Sequence, residues 1–292
     1  MEWFFIAFAS ALLSAASTIF EKKLLFEMNA FSFSLLNSFF NLLFTVPFIF
    51  FSDFSSITDK GLLILLIKTI LNSAAFYFVM LSLKNLEISK ALPLLVLTPG
   101  FVALFAFLLL NEPLSINQLL GMGMLLIGTY ILEMQAKEDF LEPFKVFVKS
   151  KNYRYIITAL FLFTATTLLD KYILKDLIKN PKAFLVFQQL FTAIIFFVAA
   201  LFIKGGVIKI IKDTNNDWWK WIILVAVLTI GYRYSQIEAI KFAPAVALVL
   251  AVKRISVFFA SIIGGKIFNE KNLLQKAIAT LILIGGTFFI VR

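Results

Sequence analysis

The sequence predicts an all-α membrane protein with ten transmembrane helices, arranged as two inverted repeats of five. Hydrophobic residues make up 61% of the chain and charged residues 15%, whereas soluble domains contain roughly 45–50% and about 25% of these classes. The charged residues also cluster. The apolar runs between the clusters approach the ~20 residues that a helix needs to cross a bilayer. Because a water-soluble core could not bury so much apolar surface, most of the chain is expected to lie in lipid.

Charge clusters and Pro, Asn and Gly residues mark the ends of the predicted helices, which are numbered helix 1 to helix 10 in chain order. The predicted spans are 3–20, 33–51, 62–81, 91–110, 117–132, 155–173, 183–203, 219–240, 244–264 and 273–291. The longest polar connection follows helix 5. The expected domains are therefore a first repeat over 1–135, a linker over 136–154 and a second repeat over 155–292. Glu2 stands where a signal peptide would carry basic residues, so the first run is expected to remain as a helix.

Short landmarks recur at matching places in the two halves. An acid–lysine pair ends the first helix of each half, an Asn–Glu pair ends the fourth, and a Gly–Thr pair lies in the fifth. The residues are Glu21-Lys22 and Asp170-Lys171, Asn111-Glu112 and Asn269-Glu270, and Gly128-Thr129 and Gly286-Thr287. Since each repeat has an odd number of spans, the second must enter the membrane upside down. An inverted repeat places a binding site near the midplane and lets the two ends open alternately.

These landmarks resemble those of a known family. The segment from Ala91 to Leu132 resembles an EamA domain of the drug/metabolite transporter superfamily. The similar residues are Thr98-Pro99, Asn111-Glu112, Gly121, Gly123 and Gly128. The segment from Ala243 to Val291 resembles the second copy, but it has no proline equivalent to Pro99. The resemblance covers nearly the whole chain, and it implies a transporter with a midplane cavity lined by helices 3, 4, 8 and 9.

Cations at membrane depth are the sharpest functional signal. Lys253 and Arg254 lie about ten residues into helix 9, or roughly 15 Å from its start. Arg233 in helix 8 and Lys68 in helix 3 add two more, and Glu238 is the one acid expected at depth. A central charge costs about 2.5–3.5 kcal/mol on insertion scales. An anionic substrate group would compensate these cations. Alternatively, one cation pairs with Glu238 and the other reaches a polar lining.

Polar neighbours of these cations complete the predicted substrate site. The Lys253-Arg254 pair resembles the ninth-helix pair of the triose-phosphate translocator branch, which implies contact with phosphate. Polar residues in helix 8 and helix 3 could line the same cavity or hold helices together, and the same choice applies to Gln188-Gln189 in helix 7. The predicted substrate-binding residues are Lys253, Arg254, Arg233, Tyr232, Tyr234, Gln236, Lys68, Asn72 and Tyr77.

Residues at helix ends and kinks form a second group. The predicted gate residues, for which anchoring to lipid headgroups is the alternative, are Glu21, Lys22, Asp170 and Lys171. Glu112 and Glu270 are expected to be structural residues of the turns after helices 4 and 9. Pro93 and Pro99 remove backbone hydrogen bonds in helix 4 and therefore predict a kink.

Composition also excludes several classes of function. The chain contains no Cys and no His, which excludes disulfides, His-based catalytic triads and the usual zinc sites. No Walker-type loop occurs in the sequence, so neither ATP nor another cofactor is expected. The net charge is +10, but the basic residues lie mainly between the apolar runs. That placement suits lipid headgroups rather than nucleic acid.

The sequence therefore predicts a secondary transporter, not an enzyme, that moves a small anionic or zwitterionic metabolite by alternating access. An amino-acid or drug exporter, an intramembrane enzyme using Glu238 with Lys253 or Arg254, a lipid flippase and a scaffold are the alternatives. The expected location is the plasma membrane, with both termini on one side. More Lys and Arg lie in the connections opposite the termini, which favours termini outside, whereas the resemblance implies cytoplasmic termini. Membrane lipids are expected partners, and a homodimer is compatible with the sequence.

Overall fold

The structure, a computed structural model, describes residues 2–54, 57–110, 115–133, 150–178, 180–203, 205–242, 249 and 252–291. Within these ranges, the side chains of residues 99, 106, 109, 110, 133, 171, 175, 176, 240 and 241 lie outside the description. The Asn111-Glu112 landmark, most of the 136–154 linker and most of 244–251 in helix 9 also lie outside the described residues.

Helices occupy all ten predicted places. Helices 1 to 5 are Glu2–Glu27, Ala30–Thr45, Asp59–Asn85, Ile88–Leu94 with Thr98–Leu110, and Ile116–Glu133. Helices 6 to 10 are Lys151–Tyr172, Pro181–Leu201, Asn216–Phe242, Ile255–Phe259 with Gly265–Ile267, and Leu273–Val291. Within the described residues, seven spans are long and apolar enough to cross a membrane, and the apolar helices at 116–132 and 255–267 are shorter. This all-α membrane architecture confirms the predicted fold class.

The packing partners of the helices are symmetric between the two halves. Helix 1 packs along helix 8 and helix 6 along helix 3, while helix 2 packs against helix 7 and helix 5 against helix 10. Exchanging the halves turns the first two pairs into each other and leaves each of the last two unchanged, as an inverted repeat requires. Because the helices alternate in direction along the chain, helix 1 begins and helix 10 ends at one end of the bundle, here called the terminal side. The opposite side, which holds the connection between helices 5 and 6, is called the linker side.

Side-chain caps define several helix starts. Asn29 accepts a hydrogen bond from the Ser32 backbone N–H at 2.7 Å and begins helix 2. Thr58 accepts from the Gly61 N–H at 3.0 Å and begins helix 3. Asn180 caps helix 7, where Pro181 occupies the first helical position. Each cap satisfies a backbone donor that the first helical turn leaves free.

Two features differ from the predicted spans. Helix 1 was predicted to end near residue 20 and instead continues to Glu27. Glu21 is only 8% exposed, because helix 1 packs along helix 8 at this level. A short amphipathic helix, Gly206–Asp213, lies in the connection between helices 7 and 8. It buries Ile210 and exposes Lys209 and Lys212, a pattern typical of helices at the membrane surface.

Helices 4 and 9, which are equivalent in the two repeats, are both interrupted. In helix 4 a 3₁₀ turn, Leu95–Leu97, lies between Pro93 and Pro99. Pro99 has no N–H for the Leu95 carbonyl, and the Thr98 hydroxyl donates to that oxygen at 2.7 Å instead. Helix 9 has a turn at Arg254 and a π-helical segment, Ala260–Gly264, that packs against the first part of helix 4. The irregular helices therefore meet between the two halves.

Two glycines allow helices 5 and 10 to approach closely. A Cβ atom on Gly121 would lie 2.6 Å from the Gly286 carbonyl oxygen, and one on Gly286 would lie 2.7 Å from the Gly121 oxygen. Side chains at either position would force the helices apart. Small residues serve the same purpose in other membrane helix pairs, where packing rather than the hydrophobic effect drives association.

Candidate functional site

A buried ion pair joins the halves near the terminal side. The Lys68 ammonium of helix 3 lies 2.7 Å from Asp170 Oδ1 of helix 6. It also lies 5.0 Å from the centre of the Phe184 ring. Lys68 is only 1% exposed, whereas the Asp170 side chain is 34% exposed. The carboxylate and the ring together compensate a cation that has almost no access to solvent.

Arg233 connects this ion pair to the other charges in the interior. It lies on helix 8, within electrostatic range of Lys68, Asp170, Glu21 and Lys253. Its Nε atom is buried and has no hydrogen-bond partner in the part of the chain that the structure describes. These four residues and Arg233 therefore form one electrostatic cluster.

The two adjacent cations of helix 9 have unequal surroundings. Lys253 donates a hydrogen bond to Gln236 Oε1, and its ammonium lies 4.6 Å from the centre of the Tyr232 ring. Arg254 is half-buried and lies within electrostatic range of Lys253. Unlike Lys253, it makes no hydrogen bond or ion pair with any residue that the structure describes. One cation of the pair is held by the protein, and the other has no partner among the described residues.

Glu21 corrects the prediction that Glu238 is the one acid at depth. It accepts a hydrogen bond from the Ser17 hydroxyl at 3.3 Å. Ser17 lies 3.1 Å from the Thr229 hydroxyl of helix 8, so this contact also joins the halves. With Asp170, the cluster contains two acids that the sequence prediction placed at helix ends, as gates or lipid anchors. Of the described residues in this cluster, with Arg254 included, four are cations and two are acids, so the cluster is positive overall.

Three predicted substrate residues lie apart from these contacts. Tyr234 is 40% exposed and lines a cavity of about 240 Å³ with Phe48 and Lys182 near the terminal side. Tyr77 packs against Phe31, with ring centres 6.0 Å apart. Asn72 lies on helix 3, half-buried, and makes no hydrogen bond with the described residues. The side chains of Lys171 and Pro99 lie outside the described residues.

A second charged cluster, here called the linker-side latch, consists of Lys22, Glu87, Glu270 and Lys276. Its centre is Glu270, which accepts hydrogen bonds from the Ile88 N–H at 2.6 Å and the Ser89 N–H at 3.1 Å. The Ser89 hydroxyl donates to the same carboxylate. Glu270, in the second half, thus caps the start of helix 4 in the first half.

Two lysines complete the latch. The Lys276 ammonium lies 2.7 Å from Glu87 Oε2 and 4.0 Å from Glu270 Oε2. Lys22 donates to the carbonyl oxygens of Leu83 and Leu86 at the end of helix 3, the latter at 2.8 Å. It also lies within electrostatic range of Glu87 and Glu270. The latch therefore satisfies two helix ends and ties the halves together.

The turn between helices 9 and 10 explains how Glu270 reaches helix 4. Asn269 and Asn272, on either side of it, have φ angles of 55° and 56°. Asn tolerates this left-handed conformation better than most residues do. The Glu270 N–H bonds back to the Gly265 carbonyl at 2.8 Å, which holds the turn in place.

Sequence reasoning missed a buried polar face on helix 2. Its residues recur at helical spacing, so the pattern was visible in the sequence. They are Ser34, Asn37, Ser38, Asn41 and Thr45, all at most 7% exposed. The functional residues were predicted mainly from formal charges, and this helix has none between Ala30 and Thr45.

Comparison with known proteins agrees with the architecture. One solved crystal structure matches with a TM-score of 0.65 and 14% sequence identity, covering 99% of this chain and 96% of its own. At that identity the match shows the fold alone. No curated protein matches the chain significantly in sequence. The model of the EamA-like transporter family matches residues 1–134 and 151–292. The two matches cover both five-helix halves, and this multi-pass membrane protein belongs to the EamA-like transporter family.

Proposed function

We propose that the protein is a secondary transporter that moves a small organic metabolite with an anionic group across the plasma membrane by alternating access. The observation that carries this proposal is Arg254, a cation at membrane depth without a protein partner among the described residues. Its neighbours Lys253 and Arg233 are cations within electrostatic range of one another. An anion bound here would offset a charge that is otherwise costly in the membrane.

The guanidinium of Arg254 suits a carboxylate or phosphate group. A guanidinium offers a planar pair of donors that matches either anion, whereas an ammonium acts as a point charge. Because Gln236 and the Tyr232 ring hold Lys253 in place, Lys253 contributes a fixed positive charge beside the more available Arg254. Carboxylate and phosphate remain the two candidate groups, and the resemblance to the triose-phosphate branch favours phosphate.

The ion pairs at the two sides support alternating access. The Lys68–Asp170 pair ties helix 3 to helix 6 near the terminal side. The linker-side latch ties the start of helix 4 to the turn before helix 10, while Lys22 of helix 1 bonds to the end of helix 3. Each tie crosses between the halves, so opening either side requires its own contacts to break. A bound anion that draws Arg233 or Lys253 away from its present partners would change the balance between the two ties.

Proteoliposomes and thermal melting test the proposal. The parent protein, Arg254→Lys and Lys253→Gln would be purified and assayed for uptake of labelled carboxylate and phosphate metabolites and for stabilisation by them. Arg254→Lys is expected to weaken binding at least tenfold while leaving expression intact. The substitution keeps the positive charge but loses the planar pair of donors of the guanidinium.

Lys266→Gln is the matched control. Lys266 lies on the same helix but is exposed, and its substitution removes the same charge without touching the interior cluster. It should transport like the parent. If Arg254→Lys and Lys253→Gln also bind and transport an identified anionic substrate like the parent, the pair is structural and the anion proposal is wrong.

A further inference from the structure

We infer that helices 2, 3 and 7 form a second, uncharged subsite for the hydrogen-bond-donating part of the substrate. This inference rests on the proposed function, because that function places the anionic group of the same molecule at Lys253 and Arg254. The observation behind it is a set of buried polar atoms that have no hydrogen-bond partner in the part of the chain that the structure describes. They are the Ser34 hydroxyl, the Asn37 and Asn41 amide oxygens and the Ser73 hydroxyl.

The lack of partners at these residues is unusual for this chain. Buried hydroxyls on membrane helices commonly bond back to the carbonyl four residues earlier. Thr69, Thr129 and Thr164 do so here at 2.7, 2.8 and 2.9 Å. Ser34 and Ser73 do not, although they are 0% and 2% exposed. An unmet buried polar group is costly in an apolar interior, so these hydroxyls are expected to have partners in the working protein.

The two asparagines make the case stronger. Asn37 and Asn41 are one helical turn apart and are 2% and 7% exposed. Neither side chain makes a hydrogen bond with the described residues. In the orientation that the structure gives them, their buried oxygens are acceptors, which N–H or O–H groups would satisfy. A hydroxyl or an ammonium group meets this requirement, whereas a second anion does not.

Aromatic contacts show which residues of helices 2, 3 and 7 lie at the same height along the bundle. Phe31 of helix 2 contacts Tyr77 of helix 3 and Phe196 of helix 7, with ring centres 6.0 and 6.1 Å apart. Helix 2 runs antiparallel to both. Asn41 lies about 15 Å beyond Phe31, and Lys68 lies about 13 Å before Tyr77. Asn41 is therefore level with the Lys68–Asp170 pair.

The same reasoning places Gln189 level with Ser38, since both lie about 10 Å from the Phe31–Phe196 contact. Gln188 and Gln189 are 5% and 3% exposed, and their amides make no hydrogen bond with the described residues. The polar layer thus extends from helix 3 through helix 2 to helix 7. It adjoins the charged cluster through Lys68.

A ligand with an anionic group at one end and hydroxyl or ammonium donors at the other would satisfy both regions. The two chemical sources are a polyhydroxylated phosphate and an amino acid. Two pairs of probes separate them, and within each pair the anionic group is the same. Glycerol 3-phosphate is compared with propyl phosphate, and 2-aminobutyrate is compared with butyrate.

The experiment measures melting of the purified full-length protein with and without each probe, for the parent, Asn37→Leu and Asn41→Leu. In the parent, the donor-bearing member of one pair is expected to stabilise more than its partner. In both variants that advantage is lost, with affinity for the donor-bearing probe reduced at least tenfold. Without ligand, the variants are expected to melt at the parent's temperature or about 2–4 °C above it, because Leu removes an unmet polar group.

Thr129→Val is the matched control, since Thr129 is buried but its hydroxyl is satisfied. It should leave the response to every probe unchanged. A lower melting temperature without ligand in both asparagine variants would show that these amides hold the fold, and it would overturn the inference. Unchanged discrimination within the pairs would overturn it as well. Arg254→Lys separates the two proposals, because it should reduce the response to both members of a pair rather than the difference between them.

Discussion

The two ties between the halves are built differently. Near the terminal side, the Lys68 ammonium faces the Asp170 carboxylate at 2.7 Å. The Phe184 ring also contacts this ammonium. In the linker-side latch, the Glu270 carboxylate accepts from two backbone N–H groups and a hydroxyl, and Lys276 stands 4.0 Å away. Among the described residues, the terminal-side tie rests on one ion pair, whereas the latch distributes its hydrogen bonds over several donors.

This difference has consequences for stability and for transport. Breaking a buried pair by removing one partner leaves an uncompensated charge, which costs far more than the intact pair contributes. Where several donors surround one acid, loss of one donor leaves the others in place. We therefore expect the terminal-side tie to open as soon as its one ion pair breaks. The latch should depend strongly on Glu270 and weakly on each of its partners.

The largest effect is expected for Asp170→Asn. Removing this carboxylate leaves Lys68 buried and facing Arg233, another cation within electrostatic range. The free energy of unfolding should fall by about 2–4 kcal/mol, below the upper values for buried pairs because Asp170 is partly exposed. Thermal melting in detergent measures the loss.

Lys68→Met supplies the contrast. It leaves Asp170 beside Arg233, which can take over as its counter-charge, so its cost should be clearly smaller. The double variant should recover part of the loss caused by Asp170→Asn. Equal losses in the two single variants would contradict the view that Lys68 is the more costly charge to leave alone.

The next effect is expected for Glu270→Ala, which removes the cap of helix 4 and the acid that the latch shares. A loss of about 1–3 kcal/mol follows from the capping bonds alone. The chain contains no native Cys, so opening can be followed with one engineered thiol. Ser261→Cys suits this purpose, because Ser261 is fully buried in helix 9 and its hydroxyl has no partner among the described residues.

A membrane-impermeant maleimide should label this cysteine slowly in the parent background and faster in Glu270→Ala. Lys266→Gln in the same background serves as the control for a charge change near the turn. If labelling is equally slow in all backgrounds, the latch does not control access to helix 9.

Much of the fold could be predicted from the sequence, for physical reasons. The thickness of the bilayer fixes how long an apolar run must be to cross it, so apolar runs identify the spans. Helices appear at all ten predicted places. The matching landmarks also identified equivalent helices, and the observed packing pairs follow that equivalence. The predicted end of helix 1 was wrong because the charged residues that follow residue 20 were assumed to lie at the membrane surface. Glu21 is instead satisfied inside the bundle by Ser17.

The site was only partly predictable. The depth of Lys253 follows from counting residues, but its contact with Gln236 depends on how helices 8 and 9 pack. The acid that compensates Lys68 comes from the other half of the chain, a hundred residues away in sequence, so no local pattern indicates it. Asn37 and Asn41 were missed because the prediction started from formal charges, and an amide carries none. Their importance emerges from burial without hydrogen-bond partners among the described residues.

The smallest effect is expected for Lys276→Met, although Lys276 is only 3% exposed and lies 2.7 Å from Glu87. Removing it leaves Glu270 with its two backbone donors and the Ser89 hydroxyl. Glu87 keeps access to solvent and to Lys90 at 3.8 Å. Neither acid is stranded, so the loss should be about 1 kcal/mol or less. Melting of Lys276→Met beside Asp170→Asn makes the comparison direct, because each removes one member of a tie between the halves. A loss for Lys276→Met as large as that for Asp170→Asn would mean that the latch depends on this lysine and does not share its load.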